Sequence, residues 1–198
     1  MAKAPMPSST RLSRRLALLL PLAAACGGDE LPRELPPLRY NYLRSLPLNV
    51  ATVDVGPAPP PSPIEAQSPA LVGAALRQMA LDRLVAGGTL GRAVFIIDEA
   101  RIDRVSGGLQ GVLAAHLDVV TTESVRAGFA EARVSRTATV PGSLRLALYD
   151  LTRQMLDDMN VEFEYQVRRS LREWLQDTTT APPPAPVEQQ ELPTPISP

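Results

Sequence analysis

Cys26 is the only thiol in this chain, and of all its side chains this one has the clearest chemistry. A thiolate is the nucleophile that accepts a transferred alkyl group, which hydroxyls and amines do far less readily. His116 is the only histidine, so imidazole clusters for a metal, or a second histidine to support a catalyst, are ruled out. Alternation around His116 puts it on the polar side of a strand, where it reads as an exposed bystander. Asp98, Glu99 and Asp103 lie in or beside one strand. Paired carboxylates that hydrolyse a bond face each other across a cleft, so these three read as a solvated edge. Asp157 and Asp158 belong to the polar side of a helix, and Ser135 and Ser143 have no base at a useful spacing. Gly87-Gly-Thr-Leu-Gly91 and Ser106-Gly-Gly108 are too short and wrongly placed for a phosphate loop, and read as turns. The sequence offers no catalytic residue, no metal-ligand set and no cofactor motif, and the expectation is that the protein is not an enzyme.

The surroundings of Cys26 say what its thiol is for. Lys3, Arg11, Arg14 and Arg15 come first, no acid appears before Asp29, and residues 16–25 form an apolar run ending in three alanines. That run is too short for a bilayer, which needs ~20 residues. It fits the apolar region of a cleaved signal, which makes 1–25 a signal peptide. An ordinary secretory signal cut after an A-x-A site would leave Cys26 passive. Ala23-Ala24-Ala25-Cys26 resembles the bacterial lipobox, with the preferred leucine one place early at Leu22. That resemblance implies cleavage before Cys26 and lipid on its sulfur. Each buried methylene adds ~0.8 kcal/mol and one chain holds only marginally, so a stable anchor needs more than one. Gly27 stands where an aspartate favours inner-membrane retention, so the same resemblance implies an outer-membrane anchor facing the periplasm. With Cys26 used, the domain must hold together without the disulfide that exported domains often use.

Cleavage removes four basic residues and no acid, leaving 16 basic against 21 acidic side chains and a net charge of −5. A mildly acidic chain lacks the basic patch that nucleic-acid binding requires. Lys3 is the only lysine, and 21 prolines punctuate the chain. Residues 26–47 read as a tether. Residues 177–198 are Pro-rich, lack aromatics, and are expected to be disordered, since they cannot bury enough surface to fold. A third Pro run, Pro57 to Pro63, reads as a loop inside a domain of 48–176.

Within that domain Leu48 to Val55 is β-branched and ends at Gly56, which predicts a strand. Ser68-Pro69 predicts a helix start, with Ser as cap. Val72, Leu76, Met79, Ala80 and Leu84 follow at helical spacing, and Gly87-Gly88 is the expected stop. Ala93 to Ile97, extending as far as Val105, predicts a second strand. Residues 113–119 and 130–135 alternate apolar with polar, as half-buried strands do. After Pro141-Gly142 an apolar stripe of Leu148, Leu151, Met155, Met159, Phe163, Val167 and Leu171, closing on Trp174 or Leu175, predicts a helix over 144–176. At 1.5 Å per residue it would reach ~50 Å, so a break near Asn160-Val161 or a protruding end is expected. The methionines read as core, with a lipid-holding groove as the other use of such adaptable side chains. The expected fold class is α+β: a mostly antiparallel four-stranded sheet with two helices on one face, a long C-terminal helix and disordered ends.

Several runs carry a resemblance: Tyr40-Asn-Tyr-Leu43, Val53-Asp-Val55, Ala75-Leu-Arg-Gln-Met-Ala80, Phe95-Ile-Ile-Asp-Glu-Ala-Arg-Ile102 and Arg136-Thr-Ala-Thr-Val-Pro-Gly142. Their order behind a lipidated Cys26 resembles the auxiliary lipoproteins of ABC-type transport systems that move lipids across the envelope. Lipopolysaccharide-assembly lipoproteins and lipoprotein activators of cell-wall synthases share a similar layout. The resemblance implies a lipid-anchored, non-enzymatic accessory subunit whose partner is an envelope transport or assembly complex. A periplasmic lipid carrier and a structural envelope lipoprotein are the other readings.

Overall fold

The computed structural model describes residues 35–176; the signal, Cys26 and the 177–198 tail lie outside the described residues. Strand β1 (Leu46–Leu48) and strand β2 (Thr52–Val55) precede helix α1 (Val72–Arg83), β3 (Leu84–Ala86) and β4 (Arg92–Val105). β5 (Gly108–Val120), β6 (Arg126–Ala138) and helix α2 (Leu144–Ser170) complete the order. The main sheet runs β2-β4-β5-β6, and β1 and β3 form a second, two-stranded sheet.

The fold is α+β as expected, but the sheet is mixed rather than mostly antiparallel. β4, β5 and β6 form an antiparallel meander, whereas β2 pairs parallel with β4 and β1 parallel with β3. The cause is α1: a helix between two strands returns the chain to the end it left, and pairing across such a crossover is parallel.

The strand expected over 48–55 is two strands in two sheets. It breaks at 49–51, where the Asn49 N–H donates to the Trp174 carbonyl at 2.7 Å and the Ala51 N–H to the Gly91 carbonyl at 3.0 Å. Val50 turns fully into the core there. Helix α1 begins later than Ser68-Pro69 suggests. The Ser68 hydroxyl is engaged with both the N–H and the carbonyl of Ala70, and Leu71 occupies the cap position without a side-chain bond. The helix also stops before Gly87-Gly88. Leu84 leaves it in an extended conformation and pairs with Leu46, so the last apolar residues become β3.

The break expected near Asn160-Val161 is absent. The Asn160 side-chain amide donates to the Leu156 carbonyl at 2.9 Å, alongside the helix rather than in place of it. Ser143 caps the start by accepting from the Leu146 N–H at 3.4 Å. Helix α2 ends at Ser170 rather than running to 176, and Arg172–Trp174 form a 3₁₀ turn. Leu175 then bridges to Leu48, and the Gln176 N–H donates to the Pro47 carbonyl at 2.9 Å. The chain end is thereby tied to the small sheet.

Both helices lie on one face of the main sheet. The backbone of Gly73 in α1 lies beside Ala100 of β4, and that of Gly111 in β5 lies against the Met155 thioether of α2. Phe163 packs edge-on against Phe95, with ring centroids 5.4 Å apart. Leu148, Leu151, Met155, Met159, Phe163, Val167 and Leu171 are all buried, as the stripe predicts. Met155 and Met159 are fully enclosed in this layer. They serve as packing between helix and sheet rather than as the wall of a groove.

Part of the stretch read as tether also packs on the domain. Tyr40 and Leu46 are buried. The Tyr40 N–H donates to Asp82 at 2.8 Å, and the Tyr149 hydroxyl donates to the Pro36 carbonyl at 2.9 Å. Arg39 completes the latch with an ion pair to Asp82 at 3.1 Å. Partial burial works against the charged Asp82 carboxylate. The hydrogen bonds from the Tyr40 N–H, Gln78 and Arg39 outweigh it and hold the carboxyl below its ordinary range.

Candidate functional site

With both helices on one face, no other described element covers the opposite face of the main sheet, and its own side chains make its surface. Register fixes which ones meet. Val94, Asp118 and Phe129 form one cross-strand row, and Ile96, His116 and Glu131 the next. Glu99, Ala114 and Arg133 follow, then Arg101, Val112 and Ser135. A register shift between Ile97 and Glu99 leaves Asp98 as the extra residue of β4. The bulge lets Ile97 and Ala100 both face the core and frees the Asp98 carboxylate to reach sideways.

It reaches His116. The Asp98 carboxylate lies 2.7 Å from Nδ1, and Asp118 lies 3.9 Å from Nε2. Arg126 closes this group, 3.4 Å from Asp118 and with its guanidinium 5.0 Å above the Phe129 ring. The Phe129 and His116 rings are 5.5 Å apart. Sequence reading treated His116 as a bystander and Asp98 as a solvated edge. The structure joins them, because antiparallel pairing brings β4 and β5 together and the bulge aims the carboxylate.

An Asp–His pair is two-thirds of a nucleophile-activating set, so its third position decides the chemistry. In such a set, one ring nitrogen is oriented by a carboxylate and the other takes a proton from Ser or Cys. Here the second nitrogen looks toward another carboxylate. Ser135 sits on this face two rows away, opposite Val112, and Ser143 is committed to capping α2. The arrangement holds the imidazole between two carboxylates.

The neighbouring group is a chain of ion pairs. Glu99 bonds Arg101 at 2.5 Å and Arg133 at 2.7 Å, and Arg101 also pairs with Asp103. The Arg101 hydrogen bond is the main reason the Glu99 carboxyl lies below its usual range; burial works against it, and Arg133 adds to the lowering. Glu99 and Arg133 flank Ala114 in the register and Arg101 flanks Val112, and both apolar residues are buried although they face away from the helices. The face therefore consists of apolar strand residues roofed by alternating charges, with Ile96 and Phe129 left exposed between them.

The remaining acids are structural. Asp157 accepts from the Tyr40 hydroxyl at 3.4 Å, and Asp158 pairs with Arg136 of β6 at 2.7 Å. Burial, followed by the Asp157 charge, pushes the Tyr40 hydroxyl above its ordinary range. Among the described residues there is no group of three or more His, Cys, Asp or Glu placed to hold a metal. No described helix is long and apolar enough to cross a membrane. A cleft of about 570 Å³ opens between the end of β6 and the start of α2, lined by Thr137, Pro141, Ser143, Ala147, Asp150 and Gln154.

No protein-family model matches the chain, and no curated protein matches it. Several solved structures resemble it, including these three. One is protein XCC0632 from Xanthomonas campestris, of family DUF330, with TM-score 0.37 and 12% identity over 68% of this chain and 88% of that one. The second is a "putative lipoprotein" from Caulobacter crescentus, with TM-score 0.34 and 11% identity over 58% of this chain and 88% of that one. A PelC dodecamer from Paraburkholderia phytofirmans follows, with TM-score 0.27 and 14% identity over 58% of this chain and 89% of that one. At these scores the functional reading rests on the chain's own residues.

Proposed function

We propose that this chain is a lipid-anchored, non-enzymatic accessory subunit of a cell-envelope lipid-transport or assembly system, held to the outer membrane and facing the periplasm. The observation that carries the reading is the open sheet face. It couples apolar strand residues to a roof of fixed charges, and it surrounds its only imidazole with carboxylates instead of a nucleophile. Protein interfaces combine apolar contact with charge patterns that set register and partner. Lipid on Cys26 would keep the domain at one membrane, and the residues before 35 would give it reach. A carrier that buries lipid between helices and sheet is the weaker reading, because Phe95, Phe163, Met155 and Met159 fill that layer.

The test is in-cell crosslinking of the tagged full-length protein, followed by mass spectrometry of the products and of the Cys26 peptide. Recovery of a permease, a substrate-binding subunit or an outer-membrane barrel, with Cys26 acylated, supports the accessory role. A bound lipid with no protein partner would favour the carrier, and an unmodified Cys26 would remove the anchor from the account.

A further inference from the structure

The outer edge of the main sheet carries a second message. Among the described residues β6 pairs with β5 alone, so its thirteen residues from Arg126 to Ala138 form the outer edge of the sheet. Alternate residues along such a strand present unpaired N–H and C=O groups outward, ready for another strand. We infer that this edge pairs with β6 of a second copy of this chain, antiparallel about a twofold through Ala132.

Charge selects the copy and the register. On the open face, β6 carries Glu131 and Arg133 two residues apart. A twofold at Ala132 places Glu131 of each copy directly opposite Arg133 of the other. The Arg133 guanidinium already bonds Glu99 of its own chain at 2.7 Å and has further N–H groups to share with the incoming Glu131, giving two cross-strand ion pairs. Shifting the axis by one residue sets Glu131 against Glu131, or Arg133 against Arg133. Opposite charges facing across a sheet are favourable, and like charges unfavourable by a similar amount. On the helix side the same register sets Ala132 against Ala132 and Ala130 against Val134, which are small enough to leave the backbones free to approach.

Helix α2 supplies an independent observation. Met155 abuts Gly111, the partner of Arg136, while Phe163 packs on Phe95, level with Ala130. The helix thus runs antiparallel to β6, and its residues near 161 stand level with Ala132. Asp158 marks the flank of α2 that overlooks the strand edge, since it pairs with Arg136. Three and seven residues further along that flank are Val161, 73% exposed, and Tyr165, 56% exposed. Two large apolar side chains are thus left exposed at the level of the proposed axis, on a helix whose other large apolar residues are buried or half-buried. In the paired sheet they face their symmetry mates from the neighbouring α2, so one twofold covers both the open edge and the exposed stripe.

The experiment uses charge reversal in the full-length acylated protein, purified in detergent and weighed by sedimentation across a concentration series. Wild type is expected to be a dimer. Glu131→Arg alone and Arg133→Glu alone each replace two attractive pairs by two repulsive ones, and each should raise the dissociation constant roughly ten- to a hundredfold. Co-expressing the two variants with different tags restores opposite charges at both positions and should give heterodimers while each alone stays monomeric. Helical circular dichroism of each variant separates lost pairing from lost folding. Monomeric wild type, or folded single variants that dimerise as well as wild type, would overturn the inference. So would a wild type that is monomeric alone yet captured through this edge by a different protein.

Discussion

Arg83 is the residue whose removal should cost most for its size. It is 3% exposed and sits at the end of α1. Its guanidinium donates to the Arg44 carbonyl at 2.9 Å, to Asn160 Oδ1 at 2.8 Å and to Glu164 Oε2 at 2.5 Å. One side chain therefore ties α1, α2 and the approach to β1. Breaking a buried charge pair by removing one partner costs ~3–5 kcal/mol. Glu164 is a third exposed and keeps Arg168 at 2.8 Å, so water and Arg168 offset part of that, leaving about 2–4 kcal/mol for Arg83→Ala. Set against a typical stability of ~5–15 kcal/mol, this is a large fraction. In a domain of this size it corresponds to a fall in Tm of roughly 5–15 °C. Arg83→Lys should recover less than half, because one ammonium cannot reach three acceptors in different directions.

The pH dependence carries its own sign. Burial disfavours the charged Glu164, but hydrogen bonds from Arg168 and Arg83 outweigh it and hold the carboxyl below its ordinary value. A depressed carboxyl stabilises the fold above the unfolded value of ~4.3, and that stability is lost as pH falls through the folded value. Removing Arg83 takes away one of the causes. The gap between wild type and Arg83→Ala should therefore narrow as pH drops from ~5 toward ~3. Urea unfolding followed by circular dichroism at several pH values measures both quantities. A loss under ~1 kcal/mol at neutral pH, or a gap that widens in acid, would refute the reasoning.

Three further outcomes follow from other parts of the molecule. Asp98→Ala and His116→Ala should each change unfolding free energy by no more than ~1 kcal/mol, since the pair is partly exposed and holds no element in place; equilibrium unfolding decides, and a larger loss would mean that it fastens the β4 bulge. Gly91 has φ +72°, and a Cβ there would lie 2.8 Å from the Val120 carbonyl, so Gly91→Ala should cost ~1–3 kcal/mol, read as a lower Tm. Cys26→Ser should abolish acylation and move the protein out of the membrane fraction, and persistence there with unchanged mass would argue against lipid attachment.

The long elements were legible because their signals are local. The α2 stripe repeats at helical spacing through seven buried residues, and the alternation in β5 and β6 continues wherever one face is dry. Where the outcome rested on distant pairing, sequence reasoning missed it. Leu84 to Ala86 suits a helix on propensity, yet becomes β3 because Leu46 to Leu48 need a partner. The run from Leu48 to Val55 looks like one strand, but the Asn49 N–H is claimed by Trp174, far along the chain. The candidate site was harder still. Asp98, His116 and Asp118 are unremarkable until register sets β4 against β5 and a bulge turns one carboxylate. Its one sequence signal was the alternation that put His116 on a polar face, and nothing local showed that the helices would leave that face uncovered.

If the open sheet face docks an envelope partner, crosslinks placed on that face should capture it. A photocrosslinking residue at Arg101 or Ser135 would be compared in cells with one at Arg153, on the exposed side of α2. A specific protein adduct, from a transport or assembly complex, is expected at the first two positions and none at Arg153. Adducts only from Arg153, or none from either face while the protein remains anchored and folded, would contradict docking through that face.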